Sequence, residues 1–316
     1  MELPGGIRRV TCPLPTRPGH VHAYLLPGAD GWTLVDTGIG LPDAAERWAG
    51  ALEGIEVARI LVTHFHPDHI GAAADVAELT GAPVYEGELD YAQARMVWGN
   101  PEWPQRIADW FLSHGVPRPN AEELIESGSV YAPFIRYQPD PVPVAHGEYL
   151  DGWELVDAPG HADGQLCLIR DGVLISADHL LGRISPTVGL WPESRPDPLG
   201  DFLHSLERTI ELAPRLALPG HGEPIDDPVG RARELIEHHR ERLGVAEASL
   251  TDGPRTGYDL SFELFGADLK PASRRFAVAE TLSHLERLVL EGRAVKSGDV
   301  DGVTYTARQL GRRASA

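Results

Sequence analysis

Four residues able to ligate a divalent metal fall within six positions: His64, His66, Asp68 and His69, in the run Thr63-His64-Phe65-His66-Pro67-Asp68-His69. Imidazole nitrogen and carboxylate oxygen together suit zinc and similar ions. The apolar run Ile60-Leu61-Val62 precedes the cluster, and the small-residue segment Ile70-Gly71-Ala72-Ala73-Ala74 follows it. That pattern reads as a strand, a tight turn and a helix that opens at the ligands.

Three more polar residues stand where strands end. They are His161 after Ala158-Pro159-Gly160, Asp178 after Ser176-Ala177, and His221 after Leu218-Pro219-Gly220. Each of the seven follows a strand or opens a helix, so they can converge on one edge of the sheets. Five histidines and two aspartates exceed the needs of one tetrahedral ion and suit two ions sharing a bridge, for which a two-oxygen carboxylate is the natural group. Two such ions can hold a hydroxide between them, lower its pKa and polarise the bond it attacks. There is no Gly-x-Ser-x-Gly elbow, and this chemistry needs no nucleophilic side chain.

The elements that must position these residues alternate along the chain. Strands are expected at residues 20–26 and 31–38, joined by a turn at Gly28 and Gly31, with Asp36 at the second strand's end. A helix at 42–52, a strand at 57–62 and a helix at about 71–80 follow. Residues 86–140 are rich in aromatics and broken by prolines. They read as two or three helices, either a lid or pocket wall or a helical layer packed on the sheet. Strand character returns at 149–150, 153–156, 165–169 and 173–176, with turns at Asp151-Gly152 and Asp171-Gly172, the latter a hairpin signal, then a helix at 197–212. After Pro224 come a charged helix at 228–248, helices at 261–265 and 274–291, and a hairpin around Gly298-Asp299-Val300-Asp301-Gly302. This last layout is that of a winged-helix-like module. Its leucines at 282, 285 and 288 are expected in the core, and a packing or dimerisation role is favoured over DNA binding. His238 and His239 are expected to be solvated.

With these residues assembled, the chain resembles the metallo-β-lactamase superfamily: Asp36 in Leu-Val-Asp-Thr-Gly, the His-x-His-x-Asp-His run, then His161, Asp178 and His221 in the family's order, over roughly residues 10–225. The resemblance implies an α/β fold, the αββα sandwich, with a small C-terminal mainly helical domain. It implies one metal on His64, His66 and His161, the other on Asp68, His69 and His221, with Asp178 bridging and Asp36 orienting motif residues through hydrogen bonds. Asp68 could also accept the hydroxide proton. Two Zn2+ per chain are expected, with iron or manganese as alternatives. Domains are expected at 1–225, holding the 86–140 insertion, and at 226–316.

Departures from particular branches narrow the function. Asp178 disfavours antibiotic hydrolysis, because lactamases of this superfamily often lack a bridging aspartate. His66 stands where flavo-diiron proteins usually have glutamate, and no flavodoxin domain or inserted nuclease domain is apparent. The basic glutathione-binding segment of glyoxalase II is not recognisable either. The expected activity is binuclear hydrolysis of a small ester or thioester. The alternatives are a single-stranded RNA endonuclease of the lactamase-β-like kind and a metal-binding winged-helix regulator without catalysis.

Composition bounds the setting. The 316 residues are 42% hydrophobic, and net charge is −19, which suits a folded globular chain. Residues 1–224 hold 14 basic and 32 acidic groups, and residues 225–316 hold 14 and 15. So acidic a catalytic half disfavours nucleic acid and anionic membranes. A small-molecule substrate is expected, with a homodimer as the assembly. The N-terminal Met1-Glu2-Leu3-Pro4-Gly5 lacks a charged and apolar leader, and Cys12 and Cys167 are far apart, so the chain is expected to be cytoplasmic. Cys167, in Leu166-Cys167-Leu168-Ile169, is read as a core residue. Candidate substrate contacts are His22, His179, Arg183 and Arg195; His20 shares a strand face with His22.

Overall fold

A computed structural model describes residues 3–298 and 302–308. The first sheet takes strands in sequence order: β1 (Arg8–Pro13), β2 (His20–Gly28), β3 (Gly31–Val35), β4 (Val57–Val62), β5 (Val84–Gly87) and β6 (Val142–Val144). The first three are antiparallel and the rest parallel. Between them lie α1 (Ala44–Ala51), α2 (Pro67–Ile70), α3 (Ala73–Thr80), α4 (Glu88–Trp98), α5 (Trp103–Ser113) and α6 (Arg118–Ser129). The second sheet has the order β11-β10-β9-β8-β7. Its strands are β7 (Tyr149–Leu150), β8 (Trp153–Asp157), β9 (Leu166–Arg170), β10 (Val173–Ala177) and, after α7 (Pro198–Leu212), β11 (Leu216–Pro219).

Strand β2 shows why two sheets form. Val21, Ala23 and Leu25 point into one apolar cluster with Trp48 of α1 and Val76 of α3. Tyr24 and Leu26, on the opposite face, join Leu61, Trp153, Leu155, Leu168 and Ile175 in a second cluster between the sheets. A period-2 strand apolar on both faces must be covered on both. Helix α7 covers the outer face of the second sheet, where Ser205, Thr209 and Leu212 line a small cavity with Val156, Cys167 and Leu174. The expected αββα sandwich is what the chain forms. Cys12 and Cys167 are buried and unbridged.

The C-terminal part holds α8 (Pro228–Ser249), α9 (Gly257–Phe265), α10 (Pro271–Leu290) and the paired strands β12 (Ala294–Ser297) and β13 (Thr304–Ala307). Thr256 caps α9, its hydroxyl accepting from the Asp259 amide. Leu282, Leu285 and Leu288 are buried, as their helical spacing requires. His239 corrects an expectation: it is fully buried, because its face of α8 meets His284 of α10 rather than solvent. The expected hairpin loop includes residues 299–301, which lie outside the described residues.

The chain divides into two compact units that do not follow a single boundary. One comprises Met1–Trp103, Val130–Pro186 and Asp201–Leu235; the other comprises Pro104–Ser129, Thr187–Gly200 and Ile236–Ala316. The aromatic-rich span 86–140 is therefore shared between them, its central helix pair grouping with the C-terminal helices.

Candidate metal centre

The seven expected ligands and Asp36 all lie in the first unit, at C-terminal ends of strands. Asp36 follows β3, the His64 run follows β4, and His161, Asp178 and His221 follow β8, β10 and β11. Direct bonds tie the sheets together at this edge. The Leu166 amide donates to the Thr63 carbonyl at 2.9 Å, and the His22 amide donates to the Gly220 carbonyl at 2.7 Å. Tyr24 Oη donates to the Pro219 carbonyl at 2.7 Å. Asp36 and Ala177 adopt left-handed φ values of 62° and 43°, a conformation that costs a non-glycine residue about 1 kcal/mol. Both sit where a strand must turn sharply to present a carboxylate.

Two ligand triads result. His64, His66 and His161 bring one donor atom each into a cluster, and Asp68, His69 and His221 form another. His66 Nδ1 and His161 Nε2 stand 2.8 Å apart. Asp178 lies between the triads: Oδ2 is 3.7 Å from His161 Nε2 and 3.2 Å from His221 Nε2, and Oδ1 is 3.5 Å from His69 Nε2. Asp68 Oδ2 is 3.2 Å from His221 Nε2.

The neighbours fix the ring tautomers. His69 Nδ1 donates to Asp36 Oδ2 at 2.8 Å. Asp36 also accepts from the Thr63 amide and hydroxyl. Since that hydroxyl donates to Asp36, it accepts from His64 Nδ1, 2.9 Å away. His221 Nδ1 donates to the His20 carbonyl at 2.7 Å. Each arrangement puts the proton on Nδ1 and the Nε2 lone pair toward the cluster, as metal-ligating histidines require.

The fit to metal rests on orphaned atoms. His64 Nε2, His69 Nε2 and Asp178 Oδ1 are buried without a hydrogen-bond partner, an arrangement that costs free energy unless a cation satisfies it. Protonation tells the same story. Burial, with the charges of neighbouring histidines, pushes His64 well below its usual value and His66 down to about 3. Burial also opposes charge on His69 and His221. Asp178, with Asp36 and Asp68 for His69 and Asp68 for His221, outweighs it, raising His69 well above the usual value and His221 to about 10. Burial disfavours ionised Asp68, yet His69 and His221 hold its carboxyl at about 2. The carboxylates thus favour positive charge at the cluster.

Other expected residues take varied positions. His22 is buried, with Nδ1 3.1 Å from Thr11 Oγ1 and Nε2 2.9 Å from the Gly222 carbonyl. Burial lowers it to about 4. His20 Nε2 accepts from the Gly222 amide at 3.0 Å, so this histidine pair braces the loop that carries His221. His179 is not brought into the cluster: it is buried, its Nε2 2.7 Å from Thr209 Oγ1 of α7. Arg183 and Arg195 are both exposed, Arg183 in the first unit and Arg195 in the second.

Sequence reasoning missed three contributors. Buried Asp90 of α4 accepts a hydrogen bond from the Phe65 amide and packs closely on Gly164, and so links the loop of His64 and His66 to that of His161. Trp98 Nε1 donates to the Phe65 carbonyl at 2.8 Å. Gly220 has no room for a side chain: a Cβ there would lie 2.4 Å from Asp178 Oδ1 and 2.9 Å from His69 Cε1. The string Leu218-Pro219-Gly220-His221 did contain that signal, as a glycine beside a ligand.

Comparison with known proteins agrees with this geometry. A family model described as the metallo-beta-lactamase superfamily matches residues 16–221, and one described as a metallo-beta-lactamase-like C-terminal domain matches residues 243–308. The chain is similar to a probable metallo-hydrolase of Bacillus subtilis, 28% identical over 89% of this chain and 92% of that protein. Among solved structures, a metallo-beta-lactamase family protein from Thermus thermophilus is 38% identical, with a TM-score of 0.84 over 97% of this chain and 99% of the other. A further structure, solved in a di-iron-bound form, is 26% identical with a TM-score of 0.50, covering 71% of this chain and 98% of its own.

Proposed function

Because the chain belongs to the metallo-β-lactamase superfamily, we propose that it is a binuclear zinc hydrolase of a small ester or thioester. The observation that carries this reading is the place of Asp178, whose two oxygens face the donor atoms of both triads. His64, His66 and His161 would hold one ion, Asp68, His69 and His221 the other, and Asp178 would touch both. When bound, the ions would supply charge that activates water and polarises the scissile carbonyl.

The chain's own residues do the rest. Thr63, Asp36 and the His20 carbonyl hold the protons of His64, His69 and His221 on Nδ1. Asp68 is the more exposed of the two carboxylates, with a quarter of its side chain open, and would take a proton from water. Its low pKa reflects charged His69 and His221.

The acidic balance of residues 1–224 supports a small-molecule substrate over RNA, whose phosphates would need a basic groove. Helices followed by a two-stranded sheet in the C-terminal part fit a winged-helix-like layout, to which we give a packing or dimerisation role. No helix among the described residues is long and apolar enough to cross a membrane.

The test is a panel of aryl esters, acyl thioesters, lactones and labelled single-stranded RNA offered to zinc-loaded protein. Ester or thioester turnover that disappears in Asp178→Ala supports the reading. RNA cleavage lost in Asp68→Ala, with no ester or thioester turnover, replaces it with a nuclease. Elemental analysis of the native protein decides between zinc, iron and manganese.

A further inference from the structure

A second group of metal-capable side chains lies in the second unit, apart from the sheet edge. His239 of α8 and Glu280 and His284 of α10 are buried and each offers a donor atom, all within 4.8 Å of one another. Glu280 and His284 are four residues apart, so they lie one turn apart on the same helix face. His284 Nδ1 donates to the Glu280 carbonyl at 2.7 Å. Its Nε2 lone pair therefore points at His239, whose Nδ1 is 3.2 Å away.

We propose that His239, Glu280 and His284 form a further divalent-metal site, of the zinc class, clasping α8 to α10. Two imidazoles and a carboxylate are a recognised zinc donor set. With metal–ligand bonds of about 2.0–2.1 Å, a tetrahedral site has edges of about 3.4 Å. The histidine pair already has about that spacing, and the Glu280 donor lies within 4.8 Å of both rings.

Protonation favours the ion. Burial keeps both rings neutral, His239 at about 2 and His284 at about 4, and raises the Glu280 carboxyl to about 7. A cation can therefore displace the Glu280 proton near neutrality without first stripping protons from the imidazoles. Arg242 is the opposing charge. Its Nε donates to His238 Nε2 at 3.3 Å and its Nη1 to the Leu264 carbonyl at 2.9 Å. That charge makes this site weaker than the seven-ligand cluster. The alternative is a metal-free network in which His239 Nδ1–H donates to His284 Nε2.

The decisive measurement is an anomalous difference map, recorded at the zinc edge on crystals of the full chain grown with excess Zn2+. A peak among the three side chains supports the proposal, and the absence of one overturns it whatever the sheet edge holds. Peaks at the edge report separately on the binuclear reading. In solution, His284→Gln is expected to bind one zinc equivalent fewer than the natural chain and to keep its hydrolytic turnover. An unchanged zinc content in a folded variant overturns the site.

Discussion

Asp36 Oδ2 accepts the Nδ1 proton of His69 at 2.8 Å, while Asp36 Oδ1 accepts the amide of Thr63, the residue before His64. One carboxylate thus sets the tautomer of His69 in one triad and the backbone next to His64 of the other. Replacing Asp36 with Asn leaves one oxygen for three donors and turns an NH2 toward one of them. We expect zinc affinity to fall about 10–100-fold, with the greater loss at the triad of Asp68, His69 and His221. Competition against a chromophoric chelator measures it, and unchanged affinity in Asp36→Asn would remove Asp36 from this role.

Gly220 makes a sharper claim, because a single methyl group is at issue. A Cβ would lie 2.4 Å from Asp178 Oδ1, so Asp178 would have to leave its place between the triads. Gly220→Ala is expected to keep the fold and the two-sheet core but to lose at least one metal equivalent and most turnover. Metal content together with far-ultraviolet circular dichroism tests this; a fully loaded, active Gly220→Ala protein contradicts the geometry.

The clustering of the candidate ligands was legible in the sequence because each is a polar residue at or just past the end of an apolar strand, and sheet geometry sends such ends to one edge. The bracing was not. Asp90 sits in Glu86-Gly87-Glu88-Leu89-Asp90, where nothing local separates a buried carboxyl from a solvated one; the approach of Phe65 and Gly164 makes that distinction. His239 was misread for a related reason. Helix α8 is charged along its length, and only its packing on α10 shows which face is inside. The grouping of residues 104–129 with the C-terminal helices was likewise hidden, since it depends on contacts between segments far apart in the chain.

The bracing role of Asp90 can be tested by contrast. Asp90→Leu strands the Phe65 amide, and a buried, unpaired donor costs about 1–3 kcal/mol. Burial raises Asp90 to about 8, so it is largely protonated at pH 7, and Asn is a close substitute. We expect Asp90→Leu to melt several degrees lower and to bind zinc more weakly, with Asp90→Asn restoring most of both at pH 7. Equal behaviour of the two variants, by calorimetry and zinc titration, would show that the carboxyl does not brace the loops.

Glu86 supplies a pH dependence with a definite sign. Both its oxygens are buried without hydrogen-bond partners. Burial, reinforced by Asp90, raises the carboxyl from 4.5 to about 9. Between those values the folded chain keeps a proton that the unfolded chain has released, so stability falls as pH rises through the window. The Glu86 contribution is fully present below about pH 4.5 and is lost by about pH 9. Glu86→Gln keeps the shape of the neutral acid and cannot ionise. The melting temperature of zinc-free Glu86→Gln should therefore gain on that of the natural chain as pH increases from 5 to 9. Each kcal/mol corresponds to about 2–4 °C for a chain of this order of size, and a gain of several degrees is expected. A difference between the two melting curves that stays constant across that range would show that Glu86 does not titrate as a buried acid.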